Sequence, residues 1–235
     1  MSIKVILFDL DGSLLPMEQE TFVKAYLDGM VKKLAPHGYN PDEIVKAVYA
    51  GLKAITCNDG SCTNEVVFWN AITGILGEKV KEDMPIFDDF YHNEFQNIKE
   101  ICGFLPEAAQ TVRALKEKGY RVALATTPVF PSITTESRIR WAGLVPEDFE
   151  IFTTYEHYHF CKPSLNYYKE LIEKLGVKPE ECLMVGNDVG EDMVTEELGM
   201  KVFLLPADLI NKVGKDISVY PQGDLNDLMK FVDEL

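Results

Sequence analysis

Residues 5–16 read VILFDLDGSLLP. The run Val5-Ile6-Leu7-Phe8 has no polar alternation, as expected of a strand covered on both faces, and such strands belong to parallel sheets flanked by helices. The run breaks onto Asp9 and Asp11, one residue apart, followed at once by Gly12 and Ser13. Burying a charge is costly unless it is paired. A buried strand that ends on two carboxylates is therefore aiming them at something.

Three further segments share this character: Arg121 to Ala125, Cys182 to Val185 and Lys201 to Leu205, with the first strand reaching from Ile3 to Leu10. A fifth, weaker candidate runs from Phe149 to Thr153. Helical patterns fall between them, from Pro106 to Lys118, Ser132 to Ala142, Ser164 to Leu175 and Glu191 to Leu198, and each stops at a glycine: Gly119, Gly143, Gly176 or Gly199. Glycine after a helix is the usual left-handed stop. Strand and helix alternate, which predicts an α/β fold with a Rossmann-like, doubly wound parallel sheet.

One stretch interrupts the alternation. Between Met17 and Ile101 there is no strand pattern. Phe22, Tyr26, Met30 and Leu34 form one helical stripe, with Val23, Leu27 and Val31 beside it. Asn40 and Pro41 supply an N-cap and a first-turn proline for a second helix through Ile44, Val48 and Leu52. Thr63 to Leu76 predicts a third, and Phe87 to Ile98 a fourth. The expected organisation is a core of residues 1–16 and 102–235, with a helical cap domain of residues 17–101 inserted after the first strand.

The chain has 235 residues and a formal net charge of −15. That balance argues against a nucleic-acid surface, which needs clustered Lys and Arg. MSIKVILFDL is too short an apolar run for a signal peptide, and no later run approaches membrane-spanning length. The expected compartment is the cytoplasm. Five scattered cysteines, with no CxxC pair, predict neither a disulfide framework nor a zinc site.

In an open parallel sheet, ligands bind beyond the carboxyl ends of the strands. The residues that follow the apolar runs are Asp9 and Asp11, then Thr126 and Thr127, then Asp188 and Asp192, and Lys162 lies in the loop before the Ser164 helix. Each alone is an ordinary turn, cap or surface residue. Together they place four carboxylates at one sheet edge, where a pair about 4 Å apart repels by several kcal/mol at protein-like dielectric. A cation must sit among them, and hard oxygen donors suit Mg²⁺ shared with a phosphate. Lys162 and the Thr126 hydroxyl would then meet the phosphate oxygens.

DLDGSLL, LATTP, the CKPS lysine and VGNDVGED resemble the four ordered motifs of the haloacid dehalogenase superfamily of phosphohydrolases. The helical insertion lies where that superfamily carries its helical cap. The resemblance implies a small phosphorylated substrate, a Mg²⁺ cofactor, Asp9 as nucleophile and Asp11 as general acid and base. It implies that Thr126, Thr127 and Lys162 bind the phosphoryl group. The implied metal set is Asp9, Asp11, Asp188 and Asp192, with Asp11 acting through its carbonyl and Asp192 orienting Lys162 or a metal-bound water. Ser13 stands where threonine is common, Thr127 where asparagine is usual, and Asn187 adds an amide before Asp188, so which side chain reaches the metal is open.

For selectivity, the polar loop from Asn58 to Asn64 is the expected reader of the leaving group, with Asp59 and Asn64 as substrate-binding residues. The connections to the insertion, Gly12 to Pro16 and Cys102 to Leu105, would act as hinges. His157 and His159 precede Lys162 and are weaker candidates. A phosphomutase of the same fold shares both aspartates. A receiver-like phospho-accepting module also pairs acids, a hydroxyl and a lysine around Mg²⁺, but it is about half this length and lacks an inserted lobe.

Overall fold

The computed structural model of the protein describes residues 2–235. Four strands, β1 (Val5–Phe8), β2 (Arg121–Leu124), β3 (Cys182–Gly186) and β4 (Lys201–Leu204), form one sheet in the order β2-β1-β3-β4. Every pairing is parallel, and Phe8 is level with both Leu124 and Val185. β1, β2 and β3 therefore end at the same height. From β1 the chain crosses to β2 on one side and then returns to β3 on the other, which makes the carboxyl end of β1 a topological switch point.

Successive side chains of a strand face opposite ways. Ile6 and Phe8 join one buried cluster with Val112, Leu115 and Leu228, whereas Val5 and Leu7 join another with Tyr168, Leu171 and Met193. Helices α5 (Pro106–Glu117) and α8 (Leu225–Asp233) thus cover one face, and α7 (Leu165–Leu175) covers the other. Burying a side chain such as Leu7 or Phe8 completely contributes about 2 to 3 kcal/mol. α7 begins at Ser164, whose hydroxyl accepts from the Asn166 N–H, and ends at Gly176 with φ 65°, the left-handed stop that its sequence predicts.

The segment between β1 and β2 is helical: α1 (Gln19–Leu34), α2 (Pro41–Thr56), α3 (Asn64–Leu76) and α4 (Met84–His92), followed by a 3-10 stretch from Glu94 to Ile101. Asn40 caps α2 by accepting from the Asp42 and Glu43 N–H groups. The single fourth helix predicted over 87–98 is broken. Asn93 leaves helical geometry, and its side-chain amide bonds back to the Asp89 carbonyl and carboxylate. A short polar side chain can compete in this way with the helix ladder.

Two other expectations are adjusted. Residues 149–153 run beside β2 with three backbone bonds and one parallel bridge, Leu124 to Phe152, but do not extend into a strand. They emerge from a 3-10 turn at Pro146–Asp148 and end at Thr153, whose hydroxyl turns back to the Thr126 carbonyl. The helix predicted from Glu191 is a 3-10 turn over Met193–Leu198, because Glu191 and Asp192 are drawn into the sheet edge. α6 (Ser132–Trp141) follows β2 as predicted.

The insertion is bound to the rest through an aromatic seam. Phe95 stacks on Trp141 at 5.3 Å, and Tyr26 and Phe22 meet the Phe130 ring edge-on at 5.3 and 6.1 Å. Asn64 is fully buried at its foot. Its N–H donates to the Tyr158 carbonyl, its amide nitrogen to the Pro128 and Phe160 carbonyls, and its amide oxygen accepts from Asn58. Replacing Asn64 with Ala should lower unfolding stability by about 2 kcal/mol, since three partners, the buried Pro128 carbonyl among them, lose their bond. A urea titration measures this; an unchanged midpoint would remove the structural role.

Candidate active site

Because β1, β2 and β3 end level, the residues that follow them converge. Asp9, Asp11, Thr126, Thr127, Lys162, Asp188 and Asp192 line one cavity of about 260 Å³, together with Asn187 and Glu191. Seven residues singled out in the sequence are thus brought together from four separate segments. Asp9 continues β1, its N–H donating to the Val185 carbonyl of β3.

Lys162 organises this edge. Its ammonium is 2.7 Å from Asp9 Oδ1 and 2.6 Å from Asp192 Oδ1, and both Lys162 and Asp192 are buried. Burial alone would push the lysine pKa down, but the Asp192 and Asp9 carboxylates outweigh it and hold the ammonium protonated well above its ordinary range. The other Asp192 oxygen accepts from the Asp188 N–H at 3.0 Å. Asp192 thus has one oxygen on Lys162 and the other on the Asp188 turn, the arrangement of the orienting role expected of it.

Asp188 Oδ1 accepts from the Gly190 and Glu191 N–H groups at 2.7 and 3.0 Å. Asn187 is buried, with its amide nitrogen on the Asp208 carbonyl at 2.6 Å and its oxygen 3.0 Å from the Ser13 hydroxyl. The same hydroxyl is 3.2 Å from Asp9 Oδ2, so Ser13 supplies the bond that threonine would. Gly12 leaves room for this: its φ is +82°, and a Cβ there would lie 2.3 Å from the Asn187 amide.

Asp11 is held by a residue that the sequence reading missed. The Arg138 guanidinium, 1% exposed, donates to Asp11 Oδ2 and to the Thr135 hydroxyl at 3.3 Å, with its Cζ 4.9 Å from the centre of the Phe130 ring. Asp11 Oδ1 is buried without a partner. Burial pushes the Asp11 carboxyl up, and the Arg138 charge pulls against it. The signal was available: Arg138 falls on the inward stripe of α6 with Thr134, Thr135 and Trp141, where a cation needs a buried acid.

Thr126 is buried, and its carbonyl accepts from the Tyr167 phenol at 3.0 Å. Thr127 donates its hydroxyl to Glu191 at 3.1 Å, which leaves its backbone N–H as its available donor. Burial pushes the Glu191 carboxyl up, opposed by the Lys162 charge.

The expected selectivity loop lies elsewhere. Asp59 is exposed and its carboxylate accepts from the Ser61 N–H, while Asn64 is consumed by the docking bonds described above. Neither lines the cavity, which the insertion closes instead with α1 and α2, through residues such as Phe22, Tyr26 and Leu52. A polar loop flanked by helices looked like a reader because its hydrogen bonds to the 155–160 segment are invisible in sequence. His157 is exposed, and His159 pairs with Glu170 at 2.9 Å, away from the cavity.

A profile of the haloacid dehalogenase-like hydrolase family matches residues 3–194. The chain belongs to that family. Among its relatives, the pyrophosphatase PpaX of Bacillus cereus is 26% identical over 201 residues, 86% of this chain and 82% of its own. The phosphoglycolate phosphatase of Aquifex aeolicus is 24% identical over 98% of this chain and 97% of its own. Among solved structures, the HAD-hydrolase YfnB of Bacillus subtilis, described as bound to magnesium and as revealing interdomain movement, superimposes with a TM-score of 0.58 at 17% identity over 99% of this chain and all of its own.

The donors suit a magnesium ion. Five carboxylates, Asp9, Asp11, Asp188, Glu191 and Asp192, line the cavity against the Lys162 ammonium, with the Arg138 guanidinium behind Asp11. Negative charge exceeds positive, and the donors are hard oxygens. Among the described residues no three acid, histidine or cysteine side chains form a ready cage. Asp11 is turned to Arg138 and Asp192 to Lys162, and Mg²⁺ commonly takes only one or two carboxylates besides waters and phosphate.

Breaking the Arg138–Asp11 pair from one side leaves a buried charge alone, and Arg138→Met should destabilise the fold by about 3 kcal/mol. Adding Asp11→Asn should recover part of that loss, a coupling of about 1 to 2 kcal/mol in a double-mutant cycle of urea midpoints. Additive losses would mean that the two residues act independently.

Proposed function

We propose that the protein is a Mg²⁺-dependent phosphatase that hydrolyses small phosphate monoesters through an aspartyl-phosphate on Asp9. The expectation of a phosphohydrolase agrees with the family match and with relatives named as phosphatases. The observation that carries the reading is the division of labour between the two aspartates of β1: Asp9 lies against Lys162, and Asp11 against its own buried arginine.

Asp9 attacks phosphorus, forming an acyl phosphate as the bond from phosphorus to the alcohol oxygen breaks. Asp11 gives its proton to the departing oxygen, and burial favours the protonated form it needs. Water then attacks the acyl phosphate, Asp11 takes that proton, and inorganic phosphate leaves with Asp9 restored. Lys162 and Thr126 hold the phosphoryl oxygens, and the Thr127 N–H is placed to join them. Asp9, Asp188 and the Asp11 carbonyl are the groups that would hold Mg²⁺, which would supply positive charge to stabilise the transferring phosphoryl group. Asp192 keeps Lys162 in position.

Residues 17–101 act as a cap over a core of 1–16 and 102–235. Both connections lie side by side, with the Gly103 N–H donating to the Pro16 carbonyl at 2.7 Å, so the lobe can swing on one paired hinge. Interdomain movement described for YfnB supports this reading.

Asp9→Asn should abolish phosphate release from a panel of monoesters while the fold persists, and Asp11→Asn should slow it by roughly two to four orders of magnitude. Mg²⁺ should raise the thermal midpoint of the wild-type protein by ordinary linkage. Near-normal turnover by Asp9→Asn would overturn the assignment.

A further inference from the structure

The walls of the cavity differ sharply in chemistry. The sheet edge supplies the charged groups. The opposite wall, from α1 and α2, is formed by Phe22, Val23, Tyr26, Leu27, Val48 and Leu52. The polar residues that the insertion adds are Gln19, Tyr49 and Thr56, none of them charged. The Tyr26 hydroxyl is turned away to Tyr91 at 3.1 Å, so this residue presents its ring.

The cation balance is equally one-sided. Lys162 is the one basic residue lining the cavity among the described residues, and two carboxylates already hold it. Arg138 lies behind Asp11 and does not line the space. The adjoining clefts give no relief. One carries Lys212 against Glu18, Glu20 and Asp208, and the other carries Lys24 against Glu20 and Asp28. A substrate with a second anionic group, bound with its phosphate at Asp9, would place that group against hydrocarbon or near Glu191, with no donor cation to meet it. An anion stripped of water needs a partner or it does not bind.

Resting on the phosphatase reading above, we infer that the preferred substrates are phosphate monoesters of small, uncharged, predominantly apolar alcohols, and that the α1–α2 face selects them. Phosphoglycolate and pyrophosphate, which name two of the relatives, fall outside this class because each carries a second anionic group. The cavity of about 260 Å³ restricts the alcohol to a small one. Phe22, Leu52 and their neighbours reward apolar surface and offer a sugar's hydroxyls few partners.

The test compares benzyl phosphate, glucose 6-phosphate, phosphoglycolate and pyrophosphate as substrates with Mg²⁺. Alongside, calorimetry with Mg²⁺ compares the non-hydrolysable benzylphosphonate and phosphonoacetate as ligands. Benzyl phosphate should exceed phosphoglycolate in kcat/KM by about a hundredfold, the scale on which an unpartnered charge is rejected. Benzylphosphonate should likewise bind more tightly than phosphonoacetate. Leu52→Lys, which puts a cation on the apolar wall, should narrow both gaps by about tenfold, mainly through KM. Turnover that favours phosphoglycolate, pyrophosphate or the sugar phosphate overturns the inference and leaves the phosphatase reading standing. Tighter benzylphosphonate binding without turnover of any ester overturns the phosphatase reading and leaves the selectivity of the cavity standing. Equal or reversed phosphonate affinities overturn the inference.

Discussion

The structure depends on a single ammonium group held between two carboxylates at the end of a parallel sheet. Lys162 reaches Asp9 at 2.7 Å and Asp192 at 2.6 Å in a place almost closed to water. A buried ion pair adds little net stability by itself, yet removing one partner strands the other and costs about 3 to 5 kcal/mol. That asymmetry fixes geometry. The loop before α7, the carboxyl end of β1 and the turn after β3 cannot separate without leaving charge unpaired. Asp192 passes the constraint on, since its second oxygen binds the Asp188 N–H and sets that turn.

Arg138 applies the same logic to Asp11 from the other side. Its guanidinium touches the Phe130 ring, and that ring meets Tyr26 of the insertion. Acid, arginine, ring and helix are thus in continuous contact, so the seating of the insertion and the setting of Asp11 share one set of neighbours. The insertion lays the hydrocarbon of α1 and α2 along the same cavity as the charged sheet edge, where water would otherwise weaken every electrostatic contact.

The core was legible because its physics is local. A strand buried on both faces must be a continuous apolar run, a helix must stop, and the glycine that stops it is written beside it, as at Gly176. The convergence of Asp9, Thr126, Lys162 and Asp188 followed from where parallel strands end. What could not be read was set by contacts distant in sequence. Asn64 looked like a free polar group on a loop, but its partners are carbonyls 64 and 96 residues away. Arg138 shows its inward place on α6 by its spacing from Thr134 and Trp141, but nothing local names its partner, Asp11, 127 positions earlier. The fourth helix of the insertion failed for a local reason instead, since Asn93 leaves helical backbone angles with its side-chain amide bonded back to Asp89.

The central claim is that the Asp9 carboxylate becomes covalently bonded to phosphorus during turnover. Rapid acid quenching during turnover of benzyl phosphate with Mg²⁺, followed by borohydride reduction and peptide mass spectrometry, tests it most directly. An acyl phosphate at Asp9 would be reduced to the corresponding alcohol, and the account predicts that mass change at residue 9 alone, present during turnover and absent without substrate. Turnover with Asp9 unmodified, or modification at another carboxylate such as Asp188, would contradict it.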